Sequence, residues 1–168
     1  NRCRRQRQMC IRDRVKAAGV LNNAFDTSVT GGDGKALCVT DHPLTNGGTL
    51  DNVAAADLNE TSLEDALISI AGFTDERGLI IALRGMKLII PRQLQFVAER
   101  LMASNMRPGT ADNDVNAVQS MGMLPNGYVV NDFLTDTDAF FIKTDAPNGL
   151  KHFELSLIHI SEPTRHTR

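Results

Sequence analysis

Three carboxylates toward the C-terminal end of the chain have the residue type and spacing that acid–base or metal chemistry requires. Asp132, Asp136 and Asp138 lie between two segments rich in Val, Tyr and Phe. If these segments pair as a hairpin, the three side chains converge near its turn, where close carboxylates can hold a divalent ion or share a proton. Asp and Thr are also common turn formers. The sequence therefore favours a structural turn and leaves a carboxylate-based hydrolase as an alternative.

A second acidic cluster, formed by Asp112, Asn113 and Asp114, has the composition of a calcium-binding loop. Such loops place oxygen ligands at alternate positions, followed by a glycine and a distal bidentate glutamate. Neither the alternation nor the glycine and the glutamate are in register in this segment. We therefore expect no metal ion here.

Nucleophilic and phosphate chemistry have weaker support. His42 and His152 have no Ser or Cys nearby in a nucleophile-elbow pattern. Cys38 lies in an apolar run, which favours burial over activation of a thiolate. It is the one cysteine left when the two ends discussed below are excluded, and a lone cysteine suits a reducing compartment. Residues 31–34 are rich in glycine but lack the lysine and Ser/Thr of a phosphate loop, so they are interpreted as a turn. We expect no catalytic residue, no cofactor and no metal site.

The two ends of the chain are related at the level of DNA. Residues 9–14, MCIRDR, back-translate to ATG TGT ATA AGA GAC AGN, and the reverse complement of that DNA encodes LSLIHI, the sequence of residues 155–160. Both segments resemble translated transposase-adapter sequence from metagenomic library preparation, and such segments are excluded from fold reasoning. We expect residues 1–14 and 155–168 to be adapter-derived and to lack regular structure. Residues 15–154 are then one globular fragment of a longer protein.

Excluding the ends changes the charge of the chain. They contain eight of the 18 Lys and Arg residues but two of the 20 acidic residues, so the remainder has 10 basic and 18 acidic residues, a formal charge of −8 instead of −2. An acidic segment without a Lys/Arg cluster argues against direct contact with nucleic-acid phosphates. Cys3, Cys10, His159 and His166 have the residue types of a metal site. They all lie in the excluded ends, so they are not considered as metal ligands.

Apolar periodicity predicts two helices. Thr61 and Glu64 have the spacing of a capping box, and an apolar stripe follows them. Pro91 is tolerated in the first turn of a second helix, which extends to residue 104. The two stripes, each typical of a helix face packed on a core, are Leu63, Ala66, Leu67, Ile70 and Ala71, and Leu94, Val97, Ala98, Leu101 and Met102.

The remaining segments predict short strands and turns. Residues 127–134 and 139–144 are expected to pair with each other across a tight turn. The other assignments are a short helix or extended lead-in at 15–27, turns at 31–34 and 75–78, strands at 35–40, 79–83 and 87–90, and a loop at 41–56. This order predicts an α+β fold with helices packed on a small mixed sheet.

Eight stretches spread over residues 15–154 carry a resemblance through their joint order. They are VLNNAF (20–25), ALCVTDHPL (36–44), GGT (47–49), DLNETSLEDALISI (57–70), KLIIPRQLQFVAERLMAS (87–104), RPGTADNDVNAV (107–118), LPNGYVVNDFLTDTDAFFIKTD (124–145) and PNGLKHF (147–153). Together they resemble the major capsid protein of tailed bacteriophages, of the Hong Kong 97 type.

The resemblance implies a Hong Kong 97-type capsid fold fragment, mainly the axial domain with part of the peripheral domain. The helix at 91–104 then belongs to the axial domain, and the loop at 106–116 approaches the axis of a hexamer or pentamer. The N-terminal arm, the extended loop and the spine helix of the family would precede residue 15.

The function implied is that of a structural subunit, not an enzyme. Copies would self-assemble into the pentamers and hexamers of an icosahedral head that encloses the genome, in the virion after assembly in the host cytoplasm. The partners would be other copies, with scaffold and portal proteins, packaged DNA only indirectly, and no membrane. Two alternatives remain open: an encapsulin-like bacterial compartment shell protein, and the carboxylate- or metal-dependent hydrolase described above.

Overall fold

Helices and short strands alternate in an α+β fold, as the sequence predicts. The computed structural model describes residues 2–106, 114–147 and 149, and of residues 2–10 it describes the backbone alone. The helices are α1 (Arg2–Asn22), α2 (Glu60–Ala71), α3 (Gln95–Ala103) and α4 (Ala117–Ser120), with a 3-10 turn at Arg92–Leu94. The strands are β1 (His42–Pro43), β2 (Thr49–Leu50), β3 (Gly85–Ile90), β4 (Tyr128–Val130) and β5 (Phe141–Thr144).

The main sheet is mixed and has β3 at its centre. β4 is parallel to β3, with Tyr128 opposite Leu88, and β5 is antiparallel to it, with Ile142 also opposite Leu88. A parallel pair needs a long crossover connection, which the 3-10 turn, α3 and α4 provide. The predicted small mixed sheet is confirmed.

The predicted pairing of residues 127–134 with residues 139–144 is wrong. β4 and β5 lie on opposite sides of β3 and do not contact each other in the ladder. Sequence neighbours pair more often than not, but β3 is largely buried, and the backbone groups along both of its edges require partners. The connection between β4 and β5 has a turn at 132–133 and a bend at 137–138 instead of one tight hairpin turn.

One apolar core joins the sheet to the helices. Leu88 and Ile90 are fully buried and, being two residues apart on β3, face the same side of the sheet. The buried residues of this cluster are Leu58, Leu63, Leu67, Leu88, Ile90, Ala98, Leu101, Val118 and Leu124, and Ile70 on α2 is also buried. Both predicted helix stripes therefore lie in the core, although Ala66 is only half-buried and Ala71 is exposed.

Helix α2 begins with a capping box, but not at the predicted residues. The Asn59 side-chain oxygen accepts a hydrogen bond from Ser62 N at 2.8 Å, and Ser62 Oγ accepts one from Asn59 N at 3.0 Å. The prediction of Thr61 and Glu64 is wrong because the helix starts earlier and already includes Thr61. Asparagine is as good an N-cap residue as serine, so Asn59 can satisfy a free N–H group of the first turn.

Pro91 and the helix after it agree with the prediction. Pro91 is fully buried and directly precedes the 3-10 turn, where its missing N–H leaves no helical hydrogen bond unmade. On α3, Ala98 and Leu101 are buried, while Leu94, Val97 and Met102 are partly buried against the same core. The predicted buried face of this helix is confirmed.

Residues 35–40 form bends instead of the predicted strand. The side chain of Asn52 makes two hydrogen bonds to their backbone. Its Oδ1 accepts from Val39 N at 2.8 Å, and its Nδ2 donates to Leu37 O at 2.8 Å. The Asn52 side chain thus makes hydrogen bonds to this backbone of the kind that a neighbouring strand would make.

The segment predicted as a loop at 41–56 contains a small hairpin. β1 and β2 are antiparallel, with His42 opposite Leu50. Leu44 N donates to Gly48 O at 2.9 Å across the connection, and Gly47 there has a φ of +84°, which glycine adopts without steric cost.

The predicted strand at 79–83 is also absent. Within the described residues, this segment makes a single antiparallel bridge, between Ile80 and Thr74. Ala82 has a φ of +55°, in the left-handed region that ends an extended run. The preceding turn at 75–78 is confirmed by the bond from Gly78 N to Asp75 O at 3.0 Å.

Helix α1 passes through the expected boundary at residue 14. The backbone of residues 2–14 is helical, which differs from the expectation that residues 1–14 lack regular structure. The adapter origin of this segment concerns the coding DNA and stays a prediction. Residues 155–168 lie outside the described residues.

The end of α1 is attached to the connection between β4 and β5. Asn22 Nδ2 donates to Phe133 O at 3.0 Å, and Asn22 Oδ1 accepts from Thr135 N at 3.0 Å. The ring of Phe25 stacks on that of Phe141 with centroids 5.9 Å apart. These contacts join the C-terminal end of α1 to β5 and to the segment that precedes it.

Candidate functional site

The junction between α3 and α4 is built around a buried asparagine. Asn116 is 1% exposed, and its Nδ2 donates to Leu101 O at 2.6 Å and to Ser104 O at 3.0 Å. Its Oδ1 accepts from Gln119 N at 3.3 Å, which caps α4. One side chain therefore satisfies the last carbonyls of one helix and the first amide of the next.

An antiparallel bridge joins Met106 to Val115 next to Asn116. We call these two bridged residues the neck. Asn116 N donates to Asn105 O at 3.2 Å, and Ser104 Oγ donates to Met106 O at 2.5 Å. These contacts fix residues 104–106 relative to residues 115–116; residues 107–113 lie outside the described residues.

The neck presents apolar side chains to solvent. Met106 is 56% exposed and Val115 is 66% exposed. Exposed apolar side chains that lie next to each other can form part of a contact surface. The sequence predicts a loop at 106–116. It does not predict the bridge between Met106 and Val115, because the two residues are separated in the sequence.

The acidic cluster at residues 112–114, where no metal ion is expected, falls partly outside the described residues. Asp112 and Asn113 lie there, and Asp114 is exposed. In the described ranges, no group of three or more His, Cys, Asp and Glu side chains is placed to hold a metal ion.

Of the three candidate carboxylates, Asp136 and Asp138 belong to one turn and Asp132 lies next to another. Asp136 Oδ1 accepts hydrogen bonds from Asp138 N at 3.0 Å and from Ala139 N at 3.3 Å. Asp132 is exposed, next to an asparagine turn in which Asn131 Oδ1 accepts from Phe133 N at 3.1 Å. Because β4 and β5 are not paired, no hairpin turn brings the carboxylates to one point. The carboxylate of Asp136 has the turn role that the sequence favours.

A hydrogen bond between the side chains of Asp33 and His42, which the sequence does not predict, joins the turn at 31–34 to the hairpin of β1 and β2, and an ion pair joins the neighbouring residues Lys35 and Asp41. His42 Nδ1 lies 2.6 Å from Asp33 Oδ2, and Lys35 Nζ lies 2.5 Å from Asp41 Oδ2. The hydrogen bond from His42, followed by one from Lys35 N, lowers the pKa of the Asp33 carboxyl. In the described structure His42 Nε2 is buried and has no hydrogen-bond partner. His152, the other candidate histidine, lies outside the described residues.

Cys38 has the surroundings of a structural cysteine. It is half-buried with a free thiol, and burial raises its pKa. Its backbone N donates to Ala24 O at 2.8 Å, which connects the segment after α1 to residues 35–40. A thiol with a raised pKa is mostly protonated at neutral pH and is a weak nucleophile.

Among the described residues, no helix combines the length and hydrophobicity needed to cross a bilayer. Comparison with family models, with curated proteins and with solved structures gives no match to this chain.

Proposed function

We propose that residues 15–154 are part of a structural subunit of a bacteriophage icosahedral head. The proposed fold is of the Hong Kong 97 type, mainly its axial domain with part of its peripheral domain. Copies assemble into the pentamers and hexamers that enclose the genome, in a virion formed in the host cytoplasm. The role needs specific contact surfaces and no catalytic residue or cofactor.

The observation that carries the proposal is the neck at Met106 and Val115. A loop that approaches a symmetry axis must leave the subunit at a fixed point, because equivalent loops from several copies meet there. The bridge between Met106 and Val115 and the hydrogen bonds of Asn116 provide such a fixed point. The exposed side chains of the two bridged residues provide apolar surface for a neighbouring copy.

The charge of the segment is compatible with this role. Residues 15–154 carry more acidic than basic residues, which disfavours direct binding to nucleic acid. Only one face of a shell subunit meets the packaged DNA, and an acidic face limits adhesion to it. The partners of the segment are then other copies, with scaffold and portal proteins in the assembling head.

The test begins with the coding DNA. Sequencing reads across both ends give the uninterrupted reading frame around residues 15–154, and its product is expressed and examined by electron microscopy. Shells, pentamers or hexamers support the proposal, and a product that stays monomeric overturns it. Portal, terminase and scaffold-protease genes nearby identify a phage, whereas a cargo-enzyme gene identifies a compartment shell of the encapsulin type.

A paired variant tests the neck itself. Met106→Ser with Val115→Ser removes apolar surface from two exposed side chains and should reduce assembly without lowering the melting temperature. Val29→Ser, at another exposed valine, is the control and should assemble normally. Normal assembly of the neck variant would remove the main structural support for the proposal.

A further inference from the structure

Helices α2 and α3 each expose one large apolar residue on the side that faces away from the core. Phe96 on α3 is 75% exposed and Ile68 on α2 is 70% exposed. Both helices bury their opposite faces in the same core, so this exposure is not needed to complete the fold. An exposed aromatic or branched side chain on a rigid helix is a common anchor of a protein interface.

The net charges around the two apolar residues have opposite signs. On α3, Arg100 lies four residues after Phe96 and Arg92 four residues before it, in the 3-10 segment, while the acidic Glu99 lies three residues after Phe96. On α2, Glu64 and Asp65 lie one turn before Ile68. Residues three or four positions apart share a helix face. We call these two sets the basic face of α3 and the acidic face of α2.

The charged groups of the two faces are not used within the described part of the chain. No ion pair or side-chain hydrogen bond there involves Glu64, Asp65 or Arg92; the charged contacts described there are the Lys35–Asp41 ion pair and the Asp33–His42 hydrogen bond. Arg100 donates from Nε to the backbone carbonyl of Phe96 at 3.1 Å, and no carboxylate among the described residues pairs with it. The one acidic residue of α3, Glu99, accepts a hydrogen bond from the Tyr128 hydroxyl at 2.7 Å.

We propose that the basic face of α3 binds the acidic face of α2 on a second copy of this chain. Arg92 and Arg100 of one copy meet Glu64 and Asp65 of the other, and the contact excludes water from Phe96 and Ile68. Opposite charges around an apolar centre set the register of an interface and disfavour pairing of like faces. This contact deepens the proposed function, on which it rests, by naming the surfaces through which two copies meet.

Charge exchange tests the contact in the full 168-residue chain. Variant A carries Arg92→Glu and Arg100→Glu, so both of its faces are acidic; variant B carries Glu64→Lys and Asp65→Lys, so both are basic. Each variant alone should lose self-association, with a dissociation constant raised at least about tenfold over wild type. An equimolar mixture of A and B should associate again, because an acidic α3 face then meets a basic α2 face. Sedimentation velocity at several concentrations and ionic strengths measures all three samples, and the wild-type contact should weaken as salt rises.

Matched controls separate the contact from net charge. Arg77→Glu with Lys143→Glu makes the same change in net charge at two other exposed side chains and should associate like wild type. Phe96→Ser and Ile68→Ser should each weaken association with no change in the melting temperature.

The outcomes distinguish this contact from the wider proposal. If wild type associates and variant A keeps the wild-type dissociation constant, or the mixture of A and B stays monomeric, the contact between these faces is wrong while self-assembly stands. If wild type is monomeric at every concentration, both the contact and self-assembly through this chain are overturned.

Discussion

Asn116 Nδ2 donates to the carbonyl of Leu101 across 2.6 Å, and this bond joins the last turn of α3 to the first turn of α4. The same nitrogen also donates to Ser104 O at 3.0 Å. The two carbonyls lie at the C-terminal end of α3, where helices leave acceptors without intrahelical partners. The Asn116 side chain is therefore one of the groups that hold the neck at Met106 and Val115, together with the backbone bonds beside it.

Replacing Asn116 with alanine should destabilise the protein strongly. The variant loses the cap of α4, worth about 1 kcal/mol, and leaves the buried Leu101 carbonyl without its donor, at a cost of about 1–3 kcal/mol. We expect a total loss of about 2–4 kcal/mol in the free energy of unfolding, measured by urea denaturation. Asn59→Ala, at the more exposed cap of α2, should cost about 1 kcal/mol. Equal losses in the two variants would contradict the role of Nδ2.

Asn116→Asp separates the two roles of this side chain. Aspartate retains an acceptor for Gln119 N, and it is as good a helix cap as asparagine. It has no donor for Leu101 O and Ser104 O, and it buries a carboxylate among carbonyl oxygens. We expect this variant to be at least as unstable as the alanine variant at neutral pH, and wild-type stability would show that capping alone matters.

The helices could be predicted from the sequence because their signal is local. The stripes ending at Ala71 and Met102 repeat with helical spacing, and one face of each helix meets the core. The partners of β4 and β5 could not be predicted, because the choice of β3 as the common neighbour depends on contacts between distant segments. The strands predicted at 35–40 and 79–83 are absent for the same reason, because an apolar run forms a strand only where the edge of a partner strand is available.

Leu101 and Phe96 lie on opposite sides of α3 and should respond differently to truncation. Leu101 is buried in the core, and Leu101→Ala should cost about 2–5 kcal/mol because it leaves a cavity. Phe96→Ala changes an exposed residue and should alter stability by less than about 0.5 kcal/mol. Thermal unfolding of dilute samples, in which self-association is minimal, compares the two. A large loss for Phe96→Ala under those conditions would mean that its side chain packs within the subunit.

Gly85 begins β3 at a position with no room for a side chain. A Cβ there would lie 2.6 Å from Leu67 Cδ2 and 3.2 Å from both Ile142 Cγ2 and Leu124 Cδ2. Gly85→Ala must displace the buried side chain of Leu67 and should destabilise the protein by about 1–3 kcal/mol, the usual cost of overpacking a core. Gly32→Ala, which meets no atom within 4 Å, is the matched control and should be nearly neutral. Equal stability of the two variants would show that the Leu67 side chain can move away without cost.

The hydrogen bond between Asp33 and His42 depends on contacts that the local sequence does not encode. The glycine-rich segment at 31–34 is a turn, as predicted. The contact of Asp33 with His42 depends on how the β1–β2 hairpin folds back on this turn. The turn at Asp136 and Asp138 could be predicted, because the backbone amides that Asp136 binds lie two and three residues away in the sequence.

The Asp33–His42 contact should be visible in the acid titration of the protein. The hydrogen bond from His42 is the largest cause that holds the pKa of Asp33 below the ordinary value of 3.8. A carboxyl with a lowered folded pKa stabilises the native state above the ordinary value and loses that contribution as pH falls through the folded pKa. In His42→Ala the pKa of Asp33 should rise toward 3.8, as measured by carboxyl-carbon NMR. Asp26, whose pKa is lowered by Ser28, should titrate identically in both proteins. Unfolding free energies of the two proteins should differ most above pH 3.8 and converge at more acidic pH; a constant difference would mean that His42 contributes through packing and not through Asp33.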